Sequence, residues 1–174
     1  MGELDSVMVK EQPAYVAIES EVTGPVETIW EKAYRQDARY VAEVHGEQGW
    51  PVVVLYPEWE NKPPTSPSRI LVQLVLSTEI NPDKLPDGRG EGLKVTAMPA
   101  ATVVGCAYRG AYTFENFKKA LARIEEYIKQ KDLKPVGPPR HLYFSNTAWT
   151  PAFMRVSEVE VPIAGGAADT TSHP

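Results

Sequence analysis

Two stretches of this chain carry the same succession of residues, and that repetition constrains the fold more than any other feature. Val9-Lys10-Glu11-Gln12-Pro13-Ala14, followed by a β-rich run to Gly24, is answered 86 residues later by Val95-Thr96-Ala97-Met98-Pro99-Ala100 running to Gly110. In both copies a Gly stands eleven positions after the Pro, and an apolar-periodic segment follows it, 26–44 in one case and 114–128 in the other. Each such segment is succeeded by a Pro and, four residues on, by Leu-Tyr: Pro51 with Leu55-Tyr56, then Pro138 with Leu142-Tyr143. A duplication of this kind predicts two matched supersecondary units related by a pseudo-two-fold axis. The seam between them is the natural place for a cleft, because ligand sites favour interfaces between structural units.

Local patterning fills in the units. Residues 15–22 alternate, with Val16, Ile18, Ser20 and Val22 on one face and Tyr15, Ala17, Glu19 and Glu21 on the other, which reads as a strand. Pro25 then suits a first helical turn, and Val26, Ile29, Trp30, Ala33, Val41 and Val44 recur at helical spacing until Gly46 and Gly49. Further strands are expected at 51–56, 70–77, 95–108, 140–144 and 155–163, with a second helix capped by Thr113 and striped by Phe114, Phe117, Leu121, Ile124 and Ile128. Pro-rich 57–68 is loop, 81–92 is a linker, and 164–174 is a disordered tail. The expected architecture is α+β: β-α-β-β units repeated over about 7–80 and 93–163 of a single domain spanning 1–163. Their antiparallel sheet has helices on one face and a central cleft on the other.

Composition narrows the function classes. A net charge of −5 over 174 residues argues against a nucleic-acid surface, which needs clustered Lys and Arg. The single cysteine, Cys106, excludes an internal disulfide and fits a reducing compartment; its apolar setting reads as packing. No basic stretch precedes an apolar core at the N-terminus, and no apolar run approaches the ~18 residues of a bilayer span. A soluble, cytoplasmic protein with no membrane partner is expected. His45, His141 and His173 are too scattered for a metal site, and no Gly-x-Ser-x-Gly, phosphate loop or framed pair of acids appears. No cofactor is expected.

Tyr108-Arg-Gly-Ala-Tyr112 ahead of an amphipathic helix, then Gly137-Pro-Pro-Arg-His-Leu-Tyr143, then Glu158-Val-Glu-Val-Pro162, resembles the GyrI-like small-molecule-binding family. That family also supplies the effector-binding domain of multidrug-sensing and AraC-type regulators. The resemblance spans roughly 7–163 and implies a stand-alone binding protein that sequesters or senses an apolar or aromatic drug-like molecule. Where the family usually carries a channel acid, two residues before Tyr143, this chain has His141. A neutral imidazole exchanges hydrogen bonds but cannot balance a cation. Family members also imply two alternatives: hydrolysis of cyclopropanoid cytotoxic compounds in the same pocket, and a gyrase-inhibitor-like protein–protein interaction. The haem-binding SOUL proteins share the general plan, but no axial-ligand pattern stands out.

The candidate ligand contacts are therefore His141, Tyr143, Tyr112 and Tyr108, with Glu19 and Glu21 able to supply a charge from the first half. Trp50, Trp59 and Trp149 fall on loops or strand ends and are read as rim or lid residues. Trp30, Phe114 and Phe117 are read as core, and Lys118-Lys119 as a solvated face.

Overall fold

The computed structural model describes residues 5–25, 28, 35, 39, 51–58, 68–76, 92–144 and 151–165. The strands are β1 (Val7–Gln12), β2 (Tyr15–Gly24), β3 (Val52–Leu55), β4 (Ser68–Val75), β5 (Leu93–Met98), β6 (Ala101–Arg109), β7 (Arg140–Tyr143) and β8 (Val156–Pro162). Between β6 and β7 runs helix α1 (Phe114–Gln130), and a 3₁₀ turn at Ala152–Met154 precedes β8. The expected first helix lies outside the described residues except at Thr28, which is in a turn, and at Arg35 and Arg39, both helical. Trp30, the linker at 81–91 and the tail from 166 lie outside them as well.

All eight strands join one antiparallel sheet in the order β1-β6-β8-β7-β3-β4-β2-β5. Exchanging β1–β4 for β5–β8 reproduces this order read from the other end, so the sequence repeat is matched by strand topology. One expectation is corrected. The run 95–108 is not one strand, because Pro99-Ala100 splits it, just as Pro13-Ala14 separates β1 from β2. Proline lacks the N–H a ladder needs and fixes its own φ, so each half opens with two short strands instead of one long one. The two interruptions face each other: Gln12 pairs with Ala101 on one side and Tyr15 with Met98 on the other.

This arrangement forces curvature. β1 is one edge of the sheet and β2 lies next to the opposite edge, yet only two residues join them. Such a joint spans about 10 Å, so the two ends of the sheet must meet. The direction of the curl follows from Tyr15 on β2, which lines one space together with Leu142 of β7 although β3 and β4 lie between. On a flat sheet those strands stand roughly 14 Å apart. The sheet is therefore concave on the face that carries Tyr15 and Leu142.

The convex face is covered by α1, which buries Phe117, Ala120, Leu121, Ile124 and Ile128. Thr113 caps it by accepting from the Asn116 N–H at 3.2 Å. Its far end closes in a Schellman pattern: Asp132 N–H reaches Lys129 O at 3.4 Å, and Leu133 N–H reaches Ile128 O at 3.0 Å. Asp132 takes the left-handed conformation there, with φ of 51°. α1 lies against β6, β8 and β1, and Val104, Cys106, Val159 and Val161 share one apolar cluster with its buried stripe and with Ile18, Val52, Val54, Ile70, Val72 and Leu74, alternate residues of five strands in all. The concave face has a smaller apolar group of Val53, Leu55 and Leu142, flanked by Tyr15, Leu71, Val75 and Met98.

Candidate ligand site

Strand pairing gathers three of the residues singled out from the sequence, and Tyr112, between β6 and α1, joins them. Tyr108 and Tyr143 lie opposite Ser157 on its two sides, and His141 sits between Val54 and Val159. Cross-strand partners share a face, so these rings lie on the convex side with Val54 and Val159. There α1 lowers Phe117 to 5.2 Å from the His141 ring centroid. The Tyr143 ring is 4.2 Å from His141 and meets Tyr112 edge-on at 4.6 Å. Tyr56 and Phe114 extend the cluster, packing on Phe117 at 4.6 and 5.6 Å. His141 and Tyr143 are enclosed, whereas Tyr112 and Phe114 are half-buried and form the outer end.

The outer end is held by backbone geometry. Gly110 takes φ of 144°, a conformation open to glycine, and its N–H reaches Arg155 O at 2.9 Å. Asn116 Nδ2 donates to Ala111 O at 2.9 Å, and the Tyr112 hydroxyl donates to Val156 O at 3.3 Å. The Arg155 guanidinium lies 5.4 Å from the centre of the Tyr112 ring, a cation–π distance. The outer end of the cluster thus carries a cation.

Inside, the cluster is neutral. The Tyr108 hydroxyl and His141 Nε2 are 2.7 Å apart, and the donor is set by which ring nitrogen carries the proton. Burial pushes the His141 pKa down to about 3, so the ring stays uncharged at physiological pH. Burial likewise pushes the Tyr108 hydroxyl up to about 12. His141 in this setting is a hydrogen-bonding group with no charge to offer.

The acids lie on the concave face. Glu19 Oε2 accepts from Gln73 Nε2 at 2.6 Å, Glu19 Oε1 pairs with Lys94 Nζ at 2.6 Å, and Tyr15 donates to Gln73 Oε1 at 2.7 Å. Across the curl, Lys10 Nζ stands 2.8 Å from both Glu158 Oε2 and Glu160 Oε1. Glu160 is fully buried, and neither of its oxygens has hydrogen-bond geometry to a partner; the Lys10 contact is an ion pair by distance alone. Arg140 Nε is 4.0 Å from its other oxygen. Burial raises the Glu160 pKa, with Lys10 opposing it.

Sequence reasoning therefore picked residues on two different faces. His141, Tyr143, Tyr112 and Tyr108 come together, but under α1 and not on the helix-free face. Glu19 faces the concave side and is 3% exposed, not solvated. Glu21, two residues on, is a surface residue paired with Arg69 at 3.3 Å. Trp50, Trp59 and Trp149 lie outside the described residues. Phe114 and Phe117, read as core, join the ring cluster as well. The concave charges Lys10, Arg140, Glu158 and Glu160 were not foreseen as a group. The signal was present in Glu158-Val-Glu-Val-Pro162, where two acids two apart must share a face of a strand buried on both.

Comparison with known proteins agrees with the architecture. The EcmrR C-terminal domain is 14% identical, with a TM-score of 0.71 over 92% of this chain and 98% of that one. A hydrolase from Listeria innocua is 11% identical, with a TM-score of 0.66 over 94% of each chain. SAV2435 bound to tetraphenylphosphonium is 12% identical, with a TM-score of 0.57 over 92% of this chain and 94% of that one. No curated protein matches the chain in sequence. The fold anticipated from the GyrI-like resemblance is thus the fold observed. Its sequence matches the SOUL heme-binding protein family over residues 6–162, almost the whole of the duplicated frame, and the chain belongs to that family.

Proposed function

We propose that this protein is a small-molecule-binding protein whose ligand is an aromatic compound seated at the outer end of the ring cluster. The observation that carries the reading is the convergence of Tyr108, Tyr112, His141 and Tyr143, named from sequence, on one cluster that is closed inside and half-open at Tyr112 and Phe114. Tyr112 and Tyr143 supply stacking faces, and Arg155 at the outer end with a neutral His141 within favours neutral or anionic ligands over cations. One fold neighbour, SAV2435, is bound to an aromatic cation. Here the acids sit on the far side of the sheet, so the charge preference is expected to differ.

Haem, implied by the family, does not fit the described residues. His141 Nε2 already meets the Tyr108 hydroxyl, and the ring is wedged between Tyr143 and Phe117 with no room for a porphyrin face. Cys106 is fully enclosed in the core under α1. His45 and His173 lie outside the described residues.

The test is a thermal-shift series of the purified chain against matched neutral, anionic and cationic aromatics. A neutral or anionic compound at a hundred times its dissociation constant should add about 2.7 kcal/mol of stability. Tyr112→Ala should abolish that gain while leaving the unliganded fold intact. Stabilisation by cations alone, or a gain that survives Tyr112→Ala, would defeat the reading.

A further inference from the structure

The far end of α1 borders a groove that the ring cluster does not reach. Leu121, Glu125, Ile128 and Lys129 line it at the i, i+4, i+7, i+8 spacing of one helical face. Pro135, Gly137 and Pro139 form the other wall, and Val161 of β8 lies on the floor. The space measures about 350 Å³, within the range of small-molecule sites. From Phe114 in the ring cluster to Glu125 the helix rises roughly 16 Å, so the two places are separate.

The groove is preformed, because its second wall is tied to the sheet and to the helix. Val136 N–H donates to Pro162 O at 2.9 Å, Ala164 N–H to Lys134 O at 2.8 Å, and Tyr56 N–H to Pro139 O at 3.3 Å. Leu133 N–H ties the start of the segment back to Ile128 O at 3.0 Å. Pro135, Pro138 and Pro139 fix φ between those anchors. A site held open in this way loses little binding free energy to ordering itself.

The charges at its lip say what the groove should take. Leu121, Ile128 and Val161 are at most 8% exposed and make an apolar floor. Glu125 and Lys129 are exposed above it, one turn apart, with the acid nearer the helix N-terminus, the order that favours pairing. Yet neither makes an ion pair among the described residues, whereas Lys118 pairs with Glu115 and Arg123 with Asp5, each at 2.8 Å, on the same helix. An apolar molecule on this floor would leave both charges idle. A molecule of one charge would be drawn by one residue and repelled by the other. An apolar body carrying both charges on one carbon suits the floor and both residues together.

We infer that this groove is a second binding site, for a free amino acid with a large apolar side chain, its ammonium on Glu125, its carboxylate on Lys129 and its side chain over Leu121, Ile128 and Val161. The site is independent of the ring cluster, and either can exist without the other.

The experiment is a methyl ¹H–¹³C NMR titration of the full chain with L-phenylalanine and, in parallel, with phenethylamine, phenylpropionate and glycine. Phenylalanine at millimolar concentration should move the methyl resonances of Leu121, Ile128 and Val161. Each of the other three lacks one charge or the side chain and should bind about fivefold or more weakly. Glu125→Gln should remove the preference for phenylalanine over phenylpropionate, and Lys129→Met the preference over phenethylamine. Both positions are exposed, so the variants should melt as the wild type does. Tyr112→Ala should leave phenylalanine binding in the groove as it is. The inference fails if no methyl at the groove moves, or if any of the three analogues binds the wild type as tightly as phenylalanine. It fails as well if the preferences survive in the charge variants. Shifts confined to Tyr112, His141 and Tyr143 would also overturn it, and would leave the proposed function standing.

Discussion

The hydroxyl of Tyr108 and Nε2 of His141 meet at 2.7 Å inside a cage of rings, and it is the burial of the imidazole in that cage that governs its answer to pH. His141 has its pKa pushed down to about 3 by burial, against 6.5 for an exposed histidine. Below pH 6.5 the unfolded chain takes up a proton that the folded one refuses, so this group removes stability as pH falls from 6.5 toward 3 and does nothing above. The loss is about 1.4 kcal/mol per pH unit across that window. His141→Phe should remove this component, read as the difference between wild-type and variant urea curves at pH 7 and pH 5. The imidazole resonances of His141 should also show no titration between pH 8 and 5; a midpoint near 6.5 would refute the burial argument.

Helix α1 depends on its first residue in a way that isolates local from tertiary stabilisation. Thr113 satisfies the Asn116 N–H from an exposed position, and Glu115 in the first turn adds a favourable charge at the helix N-terminus. Thr113→Ala should cost about 1 kcal/mol, and Thr113→Asn close to nothing. Chemical denaturation of both variants checks it. Because the same turn holds Tyr112, ligand affinity should fall in the alanine variant by more than stability alone accounts for.

Much of the frame was legible because period-two and helical patterns are local. Val16, Ile18 and Val22 marked one face of β2, and Phe117, Leu121, Ile124 and Ile128 marked the buried stripe of α1. Tyr112, His141 and Tyr143 were legible as a group through the resemblance of their motifs to those of the GyrI-like family. Which face they occupied was not, because β3 and β7 are buried on both sides and such a strand carries no apolar–polar alternation to read. The split of β5 from β6 was hidden as well: a proline inside a β-rich run signals either an edge or a break, and only the pairing of Gln12 with Ala101 decides. The concave charges escaped for a different reason. Glu19 is buried only because Gln73, 54 residues away, and Lys94 converge on it, and no local pattern encodes that.

Lys10 is the counter-ion on which the acids of β8 depend. It is 31% exposed, and burial alone would lower its pKa, but the contacts with Glu158 and Glu160 outweigh this and raise it. Lys10→Met leaves two carboxylates on β8 without their nearest cation and should cost about 2–4 kcal/mol at pH 8. Glu160 has a raised pKa in the folded state, so protonation favours folding. Stability due to it is present below the ordinary carboxylate range and is lost as pH rises through the raised value. The penalty of Lys10→Met should therefore shrink at pH 4.5, and Glu160→Gln added to it should recover part of the loss at pH 8. A penalty independent of pH would show that Lys10 contributes through its packing and not its charge.

The same ion pair explains a glycine in the middle of β6. A Cβ on Gly105 would stand 2.5 Å from Glu158 Oε1 and 3.2 Å from Lys10 Cε, because the lysine crosses directly over this residue to reach β8. Glycine costs a strand some conformational entropy, and at an ordinary position alanine would be an improvement. Here the added methyl must push aside a buried carboxylate held by a salt bridge, so the sign reverses. Gly105→Ala should destabilise by about 1–3 kcal/mol. In the Lys10→Met/Glu158→Gln background, where nothing charged is left to displace, the same substitution should cost less than half as much. Equilibrium urea unfolding of the four proteins closes that cycle, and equal costs in the two backgrounds would mean that Gly105 is required by the backbone and not by the ion pair above it.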